Sequence, residues 1–155
     1  MMLPNSLTSR LTYFNINESV LADYQILCLP ENFFSGEKEE LYDAVHAVHL
    51  SKMLKQKDVK CANSHDLGLE CEVAFRQSGD LYLGLQYVAT LFVIPFLVNI
   101  ISSLAFSKIN GDGKKPDDKD TTNVSIELYL PKGEHLKYTG DSETLIKILN
   151  SLRED

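Results

Sequence analysis

The sequence predicts an α+β protein with a small mixed sheet of about four or five strands, a central long apolar helix that Pro95 can kink, and a C-terminal strand–strand–helix unit. Three patterns support this fold class: short runs with alternating apolar residues, a stretch from 81 to 107 without a charged side chain, and an amphipathic helix near the end of the chain. A chain of 155 residues can bury its own core, so we expect residues 1–155 to form a single domain.

The start of the chain is rich in Ser, Thr and Asn, and its apolar residues form only weak strand and helix patterns. We expect a short strand at 11–14 and a helical turn at 19–21. The apolar run 23–29 is stronger, because it ends at Pro30, which cannot continue a hydrogen-bonded ladder. This run predicts the first buried strand.

A helix is predicted from Ser35 to Lys57, because glutamates come first and lysines last, the order that the helix dipole favours. Its core stripe would contain Leu41, Ala44, Val45 and Val48. Residues 58–63 predict a short strand. The alternation over 69–75 predicts another, with one face formed by Leu69, Cys71, Val73 and Phe75. Residues 20–78 would therefore form a β-α-β unit with one further strand.

The charge-free stretch is assigned to one apolar helix over residues 80–109. At about 1.5 Å per residue such a helix could cross a hydrocarbon core of roughly 30 Å. Two interpretations stay open: burial in protein or at a subunit interface, and association with a membrane. Burial is favoured because the unit that follows is too small to fold alone on the far side of a bilayer.

The middle of this segment is expected to contact a partner or a membrane, because a long exposed apolar surface would aggregate unless something covered it. The residues assigned to this contact are Leu91, Phe92, Ile94, Pro95, Phe96 and Asn99.

Residues 110–122 contain Gly, Asp, Lys and Pro without an apolar run and predict a flexible linker. Residues 123–155 then predict a ββα part. Its first strand alternates through Val124, Ile126, Leu128 and Leu130. Its helix follows a cap at Gly140-Asp141-Ser142 and places four apolar residues on one face, Leu145, Ile148, Leu149 and Leu152.

Two clusters suggest metal chemistry. Imidazole and thiolate ligands for zinc could come from His46, His49, Cys61, His65 and Cys71, but their spacing matches no closed ligand set. Carboxylates for Mg²⁺ could come from Asp66, Glu70 and Glu72, but alternation explains the two glutamates as a solvated strand face. We therefore assign no metal, no cofactor and no catalytic residue, and leave open whether the His/Cys group binds metal.

Charge and cysteine content indicate which partners and which cellular compartment suit the protein. A net charge of −7 opposes nucleic-acid binding, because that affinity depends on Lys and Arg neutralising phosphates. Three cysteines without a secretory signal predict reduced thiols and a cytoplasmic protein, with association at a membrane as the alternative. Nucleotide-loop and nucleophile-elbow motifs do not occur in the sequence.

The C-terminal half combines an apolar helix, a polar linker, the strand 124–128, a strand ending at Gly140-Asp141 and a helix carrying Leu145, Ile148 and Leu149. In this order of elements it resembles the effector-associated constant components of bacterial conflict systems. The resemblance implies a non-catalytic protein that accompanies an effector in immunity against phage or competing cells.

These observations predict a non-catalytic assembly or adaptor component that self-associates or docks a protein partner through its apolar helix. Two alternatives remain. One is a membrane-associated effector that inserts residues 81–107 into lipid, and the other is a metal-dependent hydrolase.

Overall fold

The computed structural model describes residues 5–76, 80–111 and 122–152. In chain order its elements are α1 (Asn5–Tyr13), α2 (Val20–Asp23), β1 (Ile26–Leu29), β2 (Tyr42–Ala44), α3 (Ala47–Gln56), β3 (Cys61–Ala62), β4 (Glu72–Ala74), β5 (Leu81–Val88), α4 (Ile94–Gly111), β6 (Asn123–Tyr129), β7 (His135–Asp141) and α5 (Ser142–Leu152). Two short 3-10 helices cover Lys38–Glu40 and Leu91–Val93.

A five-stranded mixed sheet in the order β3-β1-β5-β6-β7 organises these elements. The pairs β1–β3 and β5–β6 are parallel, whereas β1–β5 and β6–β7 are antiparallel. The predicted α+β class is therefore confirmed, as are the first strand, the short strand near Cys61 and the C-terminal β6-β7-α5 unit.

The apolar segment is not one helix over 80–109. Its first part is β5, it bends through the 3-10 turn Leu91–Val93, and the helix begins only at Ile94. The reason is that a strand buried on both faces is as free of charge as a buried helix, so hydropathy alone does not separate them. Pro95 lies in the first turn of α4, where a missing N–H breaks no helical hydrogen bond.

The helix predicted from Ser35 to Lys57 shortens to α3, Ala47–Gln56. Leu41 and Ala44 are buried as predicted, but Ala44 lies in β2, whose residues pair in parallel with β4. Val48 is exposed rather than in the core. Strand pairing with a distant segment thus overrides the local helical pattern.

The strand predicted over 69–75 is reduced to β4 and belongs to a separate two-stranded sheet with β2. Its predicted inward face is wrong at two positions, because Val73 and Phe75 are exposed. Leu69 and Cys71 are half-buried against the core. A two-stranded ribbon lacks the layer that would cover such a face.

Two apolar clusters cover the faces of the main sheet. The first cluster contains residues of α3, α4 and α5 packed on the strands, including Leu50, Leu97 and Leu145. The second cluster is formed largely by α1 and the loop after β1, including Leu11 and Phe33. The expected strand at 11–14 is therefore wrong, since residues through Tyr13 form α1, while the turn near 19–21 is present as α2.

Most of the predicted linker lies outside the described residues. Of its ends, Asn110 and Gly111 belong to α4, and Thr122 is buried, with its hydroxyl donating to the Ala105 carbonyl at 3.3 Å. The alternation of β6 is as predicted, because Val124, Ile126 and Leu128 are all buried. On α5, Leu145 and Leu149 are buried and Ile148 and Leu152 are half-buried.

Candidate functional site

The outward side of α4, together with the 3-10 turn that precedes it, carries two large apolar side chains that are exposed to water. Phe92 is 79% exposed and Phe106 is 68% exposed. Between them, Asn99 and Ser103 are exposed and Phe96 is half-buried. These five residues, named here the outer face of α4, are separated by four, three, four and three positions, which places them on one stripe of a helix.

The opposite side of α4 explains why this helix is held firmly. Ile94, Leu97, Ile100 and Ile101 are at most 1% exposed and belong to the first cluster. The helix packs against α3 and α5 on its flanks. The exposed phenylalanines are therefore carried on a rigid support rather than on a loop.

The six residues assigned to a partner or membrane contact divide into three groups. Phe92 and Asn99 are exposed, whereas Leu91, Pro95 and Phe96 are half-buried. Ile94 is fully buried in the core and cannot reach a partner. Phe106 was missed, although it lies two heptads after Phe92 and this spacing could have identified it.

Beside Phe92, a groove of about 510 Å³ opens at the carboxyl ends of β5 and β6. Its walls come from the segment before α4, the turn between β6 and β7, and the end of α5. The residues that line it are Ala89, Thr90, Leu91, Leu130, Pro131, Lys132, Glu134 and Leu152. The groove is mainly apolar, which suits an apolar side chain or ligand.

The structure separates the His/Cys group. Cys61 belongs to the first cluster and Cys71 packs against the second, on the other side of the sheet. Nδ1 of His46 accepts a hydrogen bond from the Tyr82 backbone N–H at 2.9 Å, while His49 and His65 are exposed. Within the described ranges, no three His, Cys, Asp or Glu side chains are grouped to hold a metal ion.

Two thiols, those of Cys28 and Cys71, have raised pKa values. The Sγ atoms of Cys28 and Cys61 lie 3.5 Å apart, and this neighbouring thiol together with burial raises the pKa of Cys28 well above its usual range. Burial raises the pKa of Cys71 to about 11. Because the thiolate is the nucleophile, neither cysteine is prepared for attack at neutral pH.

The acidic group is also dispersed. Asp66 forms an ion pair with Lys55 at 2.5 Å and accepts a hydrogen bond from the Asn63 N–H. Partial burial raises the pKa of Asp66, but these donors outweigh it and the pKa is lowered. Glu70 and Glu72 are exposed on the surface.

A polar cleft of about 290 Å³ between the β2–β4 ribbon and the main sheet contains further charges. Glu31 pairs with Arg76, and Glu127 pairs with His135 at 2.6 Å. The Arg76 guanidinium lies 4.5 Å from the Tyr82 ring centre. Both carboxylates that line this cleft, those of Glu31 and Glu127, thus contact a neighbouring side chain.

Comparison with known proteins provides no relative, because no protein-family model, no curated protein and no solved structure matches this chain.

Proposed function

We propose that this protein is a non-catalytic assembly or adaptor component that docks another protein through the outer face of α4. The observation that carries the proposal is the pair Phe92 and Phe106, both mostly exposed. Phe92 lies in the 3-10 turn just before α4, and Phe106 lies on α4, whose other side is buried. Exposed apolar patches mark interaction sites, and buried aromatic anchors supply much of the binding energy at interfaces.

The chemistry of the described side chains supports a non-catalytic role. Asp66 and Glu31 form ion pairs with Lys55 and Arg76, and Glu127 contacts the His135 ring. Cys28 and Cys71 have raised pKa values and stay protonated at neutral pH. A general base or nucleophile needs a pKa tuned toward the working pH, and the pKa values of Asp66, Cys28 and Cys71 are shifted away from it.

The resemblance of the C-terminal half supports a further part of the proposal, namely that the docked protein is an effector of a bacterial conflict or anti-phage system. Within the unit β6, β7 and α5, the helix α5 packs directly against α4. Helix and unit would thus present one continuous surface to the effector. We place this encounter in the cytoplasm, where free thiols such as those of this chain are usual.

The membrane alternative has less support. Across the described ranges, no helix is long and apolar enough to cross a bilayer. Two exposed phenylalanines could still contact a lipid surface, and the experiment below distinguishes lipid from protein.

The test is photo-crosslinking in cells with benzoylphenylalanine placed at 92, at 106 or at 75. Phe75 is 85% exposed but lies next to β4, away from α4, and serves as the matched control. We expect protein adducts from 92 and 106 and none from 75. Adducts to lipid alone, or equal protein adducts from all three positions, would reject the proposal.

A variant pair checks that binding rather than folding is measured. The double substitution Phe92→Ser/Phe106→Ser should change the free energy of unfolding by less than about 0.5 kcal/mol, because both side chains are exposed. Leu97→Ala on the buried side should cost about 2–5 kcal/mol. The protein identified by crosslinking should lose its binding to the double variant while that variant stays folded.

A further inference from the structure

We propose that two copies of this chain associate through β7, with the two β7 strands antiparallel about a two-fold axis that passes between their Tyr138 residues. Such a contact is isologous, so the edge of the strand must be complementary to itself. The outer face of α4 takes no part in this contact. The inference therefore goes beyond the docking role proposed above and does not depend on it.

The strand β7 is the outermost strand at one side of the main sheet. Within the described residues, β6 pairs with one side of β7 and no strand pairs with the other. The strand at the opposite side of the sheet, β3, has only two residues, whereas β7 has seven. A long edge strand is a template for a further strand, because its outward N–H and C=O groups lack partners.

The hairpin between β6 and β7 shows which backbone groups of β7 point outward. The Leu130 N–H donates to the Glu134 carbonyl at 2.9 Å, so these two residues form a hydrogen-bonded pair. In an antiparallel ladder, hydrogen-bonded pairs alternate with pairs that are not bonded. The register therefore directs the backbone groups of Leu136 and Tyr138 toward β6.

By the same alternation, the N–H and C=O groups of Lys137 and Thr139 point away from β6. Both residues are exposed, and in the described part of the chain no hydrogen bond is made by either backbone N–H outside the sheet ladder. Donors and acceptors that alternate in this way match the edge of another extended strand. The outward side of β7 thus fits a strand better than it fits a helix.

The order of side chains along β7 makes this edge complementary to its own copy. Tyr138 is the middle residue of His135–Asp141, so an axis at Tyr138 pairs the whole strand. The residues directly opposite each other across the axis are then Tyr138 and Tyr138, Lys137 and Thr139, Leu136 and Gly140, and His135 and Asp141. No two like charges are directly opposed, and the half-buried Leu136 gains cover next to a residue without a side chain.

The neighbouring positions of the axis are less favourable. An axis at Lys137 would place the two Lys137 side chains directly opposite each other, which is destabilising. An axis at Thr139 would shorten the paired segment, because Ser142 already begins α5. Charge and strand length therefore both select the axis at Tyr138.

The expected association is weak and reversible. A strand of this length spans roughly 23 Å, and a contact of this kind is smaller than a standard interface. In strand addition, main-chain hydrogen bonds supply the affinity. The dimer should therefore form in proportion to protein concentration rather than persist on dilution.

Sedimentation of the purified full-length chain over a range of concentrations tests the register. Thr139→Lys places a lysine opposite Lys137 at two symmetric positions and should weaken self-association about tenfold. The exchanged variant Lys137→Thr/Thr139→Lys has the same composition as the wild type but opposes lysine to threonine again. It should therefore associate as strongly as the wild type.

Amide hydrogen exchange of the wild-type chain, measured by NMR, tests the contact without a substitution. The amides of Lys137 and Thr139 should exchange fast in dilute solution and become protected as the concentration rises. The amides of Leu136 and Tyr138 are bonded to β6 and should be protected at both concentrations.

A monomer at every concentration would overturn the proposal. So would a dimer that Thr139→Lys leaves unchanged, or one in which the Lys137 and Thr139 amides stay unprotected. The variant Phe92→Ser/Phe106→Ser should self-associate like the wild type. Loss of docking in that variant is therefore a separate result, and either proposal can fail while the other stands.

Discussion

At the scale of single residues, Gly84 has a left-handed backbone and a close neighbour. Its φ is +75°, and an added Cβ would lie 2.8 Å from the Cβ of Ala44. The irregular register between Tyr82 and Gly84 also changes which face of the sheet the following residues occupy. Leu83 therefore belongs to the first cluster and Leu85 to the second. One glycine thus lets a single strand serve both sides of the core.

Gly84→Ala should lower the free energy of unfolding by about 2–4 kcal/mol, through left-handed backbone strain and through overpacking against Ala44. Gly68 is the matched control, because its φ is +80° but nothing lies within 4 Å of an added Cβ. Gly68→Ala should cost only about 1–2 kcal/mol. Urea unfolding of both variants measures the difference, and equal losses would contradict the close approach to Ala44.

Cys71 should be a slow thiol despite its place on the wall of a cleft of about 510 Å³. Burial raises the pKa of its thiol from 9.0 to about 11, which reduces the thiolate fraction near neutral pH about 100-fold. Iodoacetamide labelling followed by mass spectrometry should show a rate that rises about tenfold per pH unit up to about pH 11. Labelling at the rate of an ordinary cysteine would disprove this burial.

The same pKa shift affects stability. The unfolded thiol loses its proton near pH 9.0 and the folded thiol near pH 11. This contribution to stability is therefore complete below about pH 9.0 and is lost as the pH rises toward about 11.

At the scale of elements, the junction of β7 and α5 depends on one carboxylate. Asp141 ends β7, and its Oδ2 accepts a hydrogen bond from the Thr144 N–H at 2.8 Å. This backbone donor lowers the pKa of Asp141 below its usual 3.8. The side chain therefore caps the first turn of α5, the helix that flanks α4.

Asp141→Ala should lower the thermal unfolding midpoint at pH 7, because α5 loses its cap. The folded-state pKa is depressed, so the stabilising charge is present above about pH 4 and is lost as the pH falls through the lower folded-state value. The difference between wild type and variant should consequently shrink toward about pH 2. Asp141→Asn is the control, since a neutral cap keeps the hydrogen bond without the titration. A difference independent of pH would contradict the assigned role of the carboxylate.

At the scale of the whole molecule, the main sheet needs cover on both faces, and α1 supplies part of it. Leu7, Leu11 and Phe14 are buried in the second cluster, against Phe33 and the strands. The N-terminal segment is thus part of the core rather than an appendage. The helix α1 is only nine residues long, and isolated helices of that length are marginal in water. Its stability therefore depends on packing against the sheet that it covers.

Leu11→Ala should lower the free energy of unfolding by about 2–5 kcal/mol, because a fully buried leucine leaves a cavity. Thr12→Ala, at the neighbouring exposed position of α1, should stay within about 0.5 kcal/mol. Chemical denaturation of both variants provides the measurement. A cost for Leu11→Ala as small as that for Thr12→Ala would show that α1 is not part of the core.

Local patterns in the sequence were sufficient for the fold class, for β1 and for the β6-β7-α5 unit, because alternation in a half-buried strand and the apolar stripe of a surface helix are local properties. They also pointed to the segment that carries the candidate site. Within that segment, the prediction of Phe92 as a contact residue is consistent with its exposure, while Ile94, two positions later, is buried.

Only the tertiary structure decided where the apolar segment changes from strand to helix, that β2 pairs with β4 instead of extending α3, and that Phe106 is exposed. The physical reason is common to all three. A residue's burial and the pairing of a strand depend on which distant segment lies against it, and the order of side chains along the chain does not contain that information.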